Sequence, residues 1–362
     1  MKKIISLVGA RPNFIKIAPL QKIFKNYSNL IDHKICHTGQ HFDKNMSEIF
    51  FHELGLPKPD YYLGIGGGSQ SEQTSRIMIE FEKVLNKENP DMVIVPGDVN
   101  STLAGSLVAS KMGIKVAHIE SGLRSFDRTM PEEINRIVTD VLADYLFVSE
   151  KSGLVNLKKE GIDKNKIHYV GNIMIDSLMQ YLPKIEDSKI FDKLKLSSFG
   201  YILVTFHRPA NVDFQDNLKS IVKLLNRLSE EKTVIFPIHP RTQANLQKFD
   251  LLKLFSHNVK LIDPVGYIDF LALTKSSELV ITDSGGIQEE TTFLGIQCVT
   301  VRDNTERPVT VESGTNQLIG TNLAKVEEAA LKVLKGEIKS GKIPELWDGK
   351  TAVRIADIVM RD

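Results

Sequence analysis

Residues 279–291 read LVITDSGGIQEET. An apolar, β-branched run from Leu279 to Thr282 stops at Asp283 and turns through Ser284, Gly285 and Gly286. It continues as a helix-like segment carrying Glu289 and Glu290. A strand feeding a helix through a glycine turn is the working unit of a parallel α/β sheet. The helix start leaves backbone N–H groups free, and its dipole favours an anion. Glycines there let the backbone approach a diphosphate closely. Glu290, one turn along, is placed to accept hydrogen bonds from a ribose diol. The same residues also make a plain glycine turn with acids suited to the dipole, and the stretch alone leaves both readings open.

The pattern repeats in both directions along the chain. KKIISLVGA, HKICHTG, DMVIVPGD, KVAHIES, DYLFVSE and KIHYVGN read as strands in the first half. YILVTFH, KTVIFPIH, NVKLIDP, ELVITD and IQCVTVR do so in the second. These runs are continuous rather than alternating, as in parallel strands covered on both faces. Helices lie between them. In SQSEQTSRIMIEFEKVLNKENPD, Ser69 and Glu72 have capping-box spacing, and Ile77, Phe81, Val84 and Leu85 share one face. At 362 residues the chain exceeds one typical core. The expected fold is α/β, with two Rossmann-like doubly wound domains facing a cleft. The first spans residues 1–171 and the second 172–349, with a terminal helix over 350–362.

With 46 basic and 45 acidic residues the formal charge is +1, which gives no push toward nucleic acid or an anionic membrane. Cys36 and Cys298 belong to no metal-spaced pair, so a reduced, cytoplasmic setting is expected. MKKIISLVGARPNF has a short apolar run that ends at once in Gly-Ala-Arg-Pro, and reads as a first strand rather than a signal peptide. No apolar run is long enough to span a membrane. CxxC spacing is absent and no DxD closes a strand, so no metal is expected. GxGxxG is missing after the first strand, and GIGGGSQ (64–70) fails its spacing, which argues against a nicotinamide cofactor.

Ligands of open parallel sheets bind outside the carboxyl ends of the strands. In the first half those ends carry Arg11 in GARP, the segment from His37 to His41, Asp98 and Glu120. In the second they carry His207-Arg208, His239, Asp283 to Gly286, and Arg302. Asp98 and Glu120 are the sharpest signals, because a carboxylate closing an apolar strand is costly to desolvate without a task or a partner. Glu132, in MPEEINR, also suits the first turn of a helix opened by Pro131. Arg11 and Lys16 are placed to reach phosphates, although a solvated helix start accounts for Lys16 equally. His207 reads as functional, while His239 stays open between a satisfied core histidine and a site residue.

Eight stretches in series, GARPNFIKIAPL, HTGQHFD, PGDVNSTLAG, HIESGLR, MPEEINR, TFHRPANVD, DSGGIQEE and RDNTERP, resemble the non-hydrolysing UDP-N-acetylglucosamine 2-epimerase family. The resemblance covers roughly residues 5–320. It implies a GT-B-like fold, with the C-terminal helix packing back on the first domain. The implied reaction interconverts UDP-GlcNAc and UDP-ManNAc for surface polysaccharide precursors, by elimination of UDP to a 2-acetamidoglucal and re-addition. Asp98, Glu120, Glu132 and His207 match the family's catalytic residues. Ser284, Gly285 and Gly286 would hold the diphosphate, Glu290 the ribose, and Phe270 would lie by the uracil. Arg11, Lys16 and Arg307 would complete the ligand site. No cofactor is implied; the partner is the UDP-sugar, and the assembly a cytoplasmic homodimer.

Two departures bear on regulation and substrate. Gln40-His41 match an activator site known in bacterial members, but Asp43 stands where a second glutamine would be, and no arginine precedes Arg76 in GIGGGSQSEQ. Allosteric activation is therefore not expected. The same features resemble relatives acting on UDP-diacetamido-uronic acids, which keeps such a sugar as the alternative substrate. A hydrolysing epimerase, a UDP-dependent glycosyltransferase and a UDP-sugar sensor are the remaining alternatives.

Overall fold

All eleven apolar runs form strands in the computed structural model, which describes residues 1–39 and 55–361. The chain divides into two units, Met1–Gln180 with Glu345–Asp362, and Tyr181–Pro344. In the first, strands β1 (Lys2–Val8), β2 (Ile31–His37), β3 (Tyr61–Tyr62), β4 (Met92–Pro96), β5 (Lys115–Ser121), β6 (Tyr145–Val148) and β7 (Ile167–Tyr169) form one parallel sheet. Its spatial order is β3-β2-β1-β4-β5-β6-β7. The second sheet is built from β8 (Tyr201–Thr205), β9 (Thr233–Pro237), β10 (Val259–Ile262), β11 (Leu279–Thr282), β12 (Gln297–Thr300) and β13 (Asn316–Leu318). It is also parallel, in the order β10-β9-β8-β11-β12-β13. Strands β3 and β13 were not anticipated, because neither carries an apolar run.

Each sheet reverses direction once, between β1 and β4 and between β8 and β11. Such switch points open a crevice at the strand ends. Around them the cores are aliphatic. Ile5, Leu7, Val93, Val95 and Val116 pack with Ile77, Phe81, Val84 and Leu85 of helix Gln70–Glu88. The capping box of that helix forms as expected, Ser69 Oγ accepting from Glu72 N at 3.3 Å and Glu72 Oε2 from Ser69 N at 2.8 Å. In the second unit Ile202, Val204, Val234, Leu279 and Ile281 pack with helices Gln215–Ser229 and Leu323–Leu334. Each such buried side chain contributes about 1.5–3 kcal/mol.

Helix Ile173–Tyr181 carries the first unit past residue 172. Ile173, Ile175 and Leu178 are buried, and the Ser177 hydroxyl donates to the Ile15 carbonyl. The same helix caps the last one: Asp176 accepts from Thr351 N (3.1 Å) and Ala352 N (2.7 Å) at the start of Thr351–Arg361. Arg354 Nη1 donates to the Val170 carbonyl at 2.9 Å, holding this terminal helix on the first unit. Among the described residues no helix is long and apolar enough to cross a membrane.

Candidate active site

At the first switch point Asn13 stitches the ends of β1 and β4. Its Oδ1 accepts from Gly9 N (3.1 Å) and Ala10 N (3.0 Å), and its Nδ2 donates to the Pro96 carbonyl (2.9 Å). Gly97 follows at φ +70°, where a Cβ would lie 2.9 Å from Lys16 Nζ. That glycine both makes the turn and leaves room for the lysine. Lys16 is buried and forms an ion pair with Glu120. Glu120 itself lies in the left-handed region at φ +72°, beside a register shift between Ile119 and Ser121. A bulge with a non-glycine residue at positive φ re-aims a side chain at a cost in backbone strain, a combination that clusters at functional sites.

Asp98, next to Gly97, accepts from Arg136 Nε (3.0 Å) and Nη2 (2.7 Å). Arg136 lies on helix Pro131–Leu142, one turn after Glu132. Its Nη1 also pairs with Glu133 at 2.5 Å. Glu133 in turn accepts from Ser125 N (2.9 Å), Ser125 Oγ (3.0 Å) and Phe126 N (2.9 Å), so it holds a turn rather than facing outward. Glu132 is half-buried and makes no ion pair with another described residue. Asp98, Glu120 and Lys16 thus gather around one switch point, and Glu132 lies on the helix whose Arg136 binds Asp98. The Arg11 side chain, and Gln40, His41 and Asp43, lie outside the described residues.

At the second switch point the stitching residue is Asp283, fully buried at the end of β11. It accepts from His207 N (3.1 Å), Arg208 N (2.9 Å) and Asn211 Nδ2 (3.0 Å), and its Oδ1 lies 2.9 Å from His207 Nδ1. Burial by itself would raise its carboxyl, but the hydrogen bonds and charge of His207 hold it below the usual range. With Nδ1 engaged, the His207 ring is oriented, and its side chain stays 40% exposed. His239, left open by the sequence, caps helix Pro240–Lys248 by accepting from Arg241 N at 3.2 Å.

Ser284, Gly285 and Gly286 follow Asp283 and begin helix Gly285–Leu294, whose first N–H groups have no intrahelical partner. A Cβ at Gly285 would meet Arg307 Nη1 at 2.7 Å, whereas one at Gly286 would meet nothing within 4 Å. The first glycine thus lets the Arg307 guanidinium lie close against the turn, and open space remains beside the second. The two acids of this helix have separate duties. Glu289 pairs with Arg307 Nε at 2.8 Å, and Glu290 accepts from the Tyr267 hydroxyl at 3.1 Å. Tyr267 and Phe270 lie one turn apart on helix Tyr267–Lys275, on the same side of it. Glu306, buried among Arg302 (2.6 Å), Arg307 (3.5 Å) and Arg208 (3.7 Å), holds these arginines together.

Sequence reasoning passed over Asn13 and Arg136, and placed Asp283 at a strand end without assigning it a role. Asp283 carried the signal that marked Asp98, a carboxylate closing an apolar strand. Asn13 and Arg136 had none, since the partners that give them their roles, Pro96 and Asp98, are distant in sequence. Among the described residues no group of three or more His, Cys, Asp or Glu is arranged to hold a metal ion. GIGGGSQ has a local role: Arg76 Nη2 donates to the carbonyls of Gly67 (2.6 Å) and Gly66 (3.4 Å), wrapping the glycines round its own helix.

Comparison with known proteins matches residues 25–360 to the family model described as UDP-N-acetylglucosamine 2-epimerase. The chain belongs to that family. A curated UDP-N-acetylglucosamine 2-epimerase of Methanocaldococcus jannaschii is 46% identical over 99% of this chain and 98% of its own. A UDP-2,3-diacetamido-2,3-dideoxy-D-glucuronate 2-epimerase of Pseudomonas aeruginosa is 44% identical over 99% of both chains. The crystal structure of the M. jannaschii UDP-GlcNAc 2-epimerase, in complex with UDP-GlcNAc and UDP, is similar to this fold with a TM-score of 0.92. It is 45% identical, over 99% of this chain and 100% of that one. The doubly wound α/β fold of this epimerase family is thus the fold of the present chain.

Proposed function

We propose that the protein is a non-hydrolysing UDP-GlcNAc 2-epimerase, interconverting UDP-GlcNAc and UDP-ManNAc. The observation that carries this reading is the 46% identity over nearly the whole chain to a UDP-N-acetylglucosamine 2-epimerase. The placement of Asp98 and Glu120 at one switch point, with Glu132 on the helix whose Arg136 binds Asp98, supports it. C2 of the sugar has no neighbouring carbonyl, so its proton leaves only together with the C1 leaving group. A base takes the C2 proton, the C1–O bond breaks, and UDP departs, leaving a 2-acetamidoglucal. Protonation of C2 on the opposite face and return of the UDP oxygen to C1 complete the inversion.

In this reading the second unit holds the nucleotide. The N–H groups at Ser284, Gly285 and Gly286 bind the diphosphate with Arg307, Glu290 binds the ribose, and Phe270 lies by the uracil. Arg11 and Lys16 add positive charge, and His207 assists the departing diphosphate. Asp98, Glu120 and Glu132 carry proton transfer. A homodimer is part of the proposal. Helix Pro131–Leu142 buries Glu133, Asn135, Arg136, Thr139 and Asp140, while Ile134, Ile137 and Val138 are only half-buried and Val141 is 60% exposed. An apolar face turned outward suits a second copy of the chain, and Val141→Asp should shift the protein toward monomer in light scattering. Two free, buried cysteines fit a cytoplasmic enzyme supplying surface polysaccharide precursors.

The 44% identical P. aeruginosa relative favours a UDP-2,3-diacetamido-glucuronate substrate as the second reading. Proton NMR in D2O with each UDP-sugar, without metal or nicotinamide, separates them. UDP-ManNAc carrying deuterium at C2 supports the first reading, and exchange only with the uronate supports the second. Free ManNAc with UDP would overturn the non-hydrolysing assignment.

A further inference from the structure

A chain of buried charged groups runs beneath the carboxylates of the first unit, and no step above uses it. His118 lies within β5 and is fully buried. Its Nε2 faces the Gly97 carbonyl at 2.8 Å, and its Nδ1 faces Asp140 Oδ1 at 2.6 Å. Both neighbours are acceptors, so the ring satisfies both only by donating from both nitrogens. Asp140 Oδ2 accepts from Gly122 N at 3.0 Å and pairs with Arg124 Nη2 at 2.7 Å. Arg124 continues the chain, donating from Nε (2.8 Å) and Nη2 (2.6 Å) to the two oxygens of Glu160.

The ends of this chain decide its meaning. Gly97 immediately precedes Asp98, Gly122 lies two residues after Glu120, and Asp140 is on the helix that bears Glu132 and Arg136. One connected set of hydrogen bonds therefore ties together the backbones that carry all three candidate carboxylates. Burying such a set is costly unless every member is satisfied, and an apolar filling would serve packing as well. What apolar side chains cannot do is fix the separation of two strand ends and a helix through directional bonds. Proton transfer is sensitive to that separation, since a displacement of about 1 Å can cost about a hundredfold in rate.

From this geometry we infer that His118 and Asp140 are positioning residues, which set the mutual placement of Asp98, Glu120 and Glu132 through the backbone at Gly97 and Gly122. The inference rests on the epimerase reading of the same site and adds residues to it. His118→Gln in the full-length protein should lower kcat by about a hundredfold. The KM for the UDP-sugar and the affinity for UDP should stay near wild type, because the nucleotide groups lie in the other unit. In an Asp98→Asn background, adding His118→Gln should cost little more, because the positioned group is already gone. Amide hydrogen exchange read by mass spectrometry should quicken at residues 97–100 and 121–124 while the rest of the sheet keeps its rates.

Wild-type kcat in His118→Gln would overturn the inference. So would a loss of kcat accompanied by an equal loss of UDP binding, or multiplicative losses in the double variant, since these mark a general structural role. If His118→Gln does not fold, Glu160→Ala at the accessible end of the chain takes its place, with a smaller fall in kcat and local exchange at Gly122. Wild-type values for both there overturn the inference. Failure of the wild-type protein to turn over either UDP-sugar would remove the epimerase reading, and the exchange pattern would still decide whether the network holds these loops.

Discussion

Two aspartate–histidine pairs, one in each unit, have opposite characters. In the first unit both members of His118–Asp140 are wholly buried, and both ring nitrogens are engaged. In the second, Asp283 is buried but His207 is 40% exposed with one nitrogen engaged. The same pairing does two jobs. Where the histidine is sealed in, it is a strut between backbones; where its far edge is open, the aspartate orients a group that can meet a ligand. Burial rather than residue type separates the roles.

The largest effect that tests this contrast is catalytic. His207→Asn should lower kcat by about 10²–10³-fold, the range for removing one donor to a developing negative charge, while the urea midpoint stays near wild type. A protein that is inactive only because it is unfolded would erase the contrast. Asp140→Ala should do the reverse in the first instance. It leaves His118 and Arg124 buried without their shared partner, and should cost about 3–5 kcal/mol in urea unfolding. A loss within about 0.5 kcal/mol, ordinary for a surface substitution, would show that the buried chain is not a strut.

Smaller effects sharpen the comparison. Glu290→Ala should weaken UDP binding by about tenfold, near the value of one charge-assisted hydrogen bond, and calorimetry that finds equal affinity would remove Glu290 from the ribose. The pH dependence should be the slightest. Burial would raise the Asp140 carboxyl, but His118 and Arg124 hold it below its ordinary value, as His207 does for Asp283. Both folded values lie below the unfolded one of about 3.9. The stability they contribute is therefore complete above about pH 4 and is lost as pH falls through the folded values. Urea midpoints should show no loss from these pairs between pH 7 and 5.

Much of this was legible in the sequence. Continuous apolar runs located eleven strands, and the rule that ligands sit beyond strand ends pointed to Asp98, Glu120, His207 and the Ser284–Gly286 turn. The struts were hidden for physical reasons. His118 interrupts an apolar run by one residue, and its partner Asp140 is 22 positions away. Helix Pro131–Leu142 was misleading in a different way. Its pattern is plainly two-faced, but periodicity does not say which face points inward, and here the polar one does. Arg307 illustrates the same limit. Its close approach to Gly285 becomes visible only when the chain returns to that spot.

The central claim is a division of labour, with the nucleotide served by the second unit and proton transfer by the first. Titration of UDP into Asp98→Asn, by calorimetry on protein shown to exchange C2 deuterium far more slowly than wild type, tests it most directly. The expected result is UDP affinity within about twofold of wild type, since no nucleotide group has been touched. A loss of affinity of tenfold or more in that variant would contradict the division.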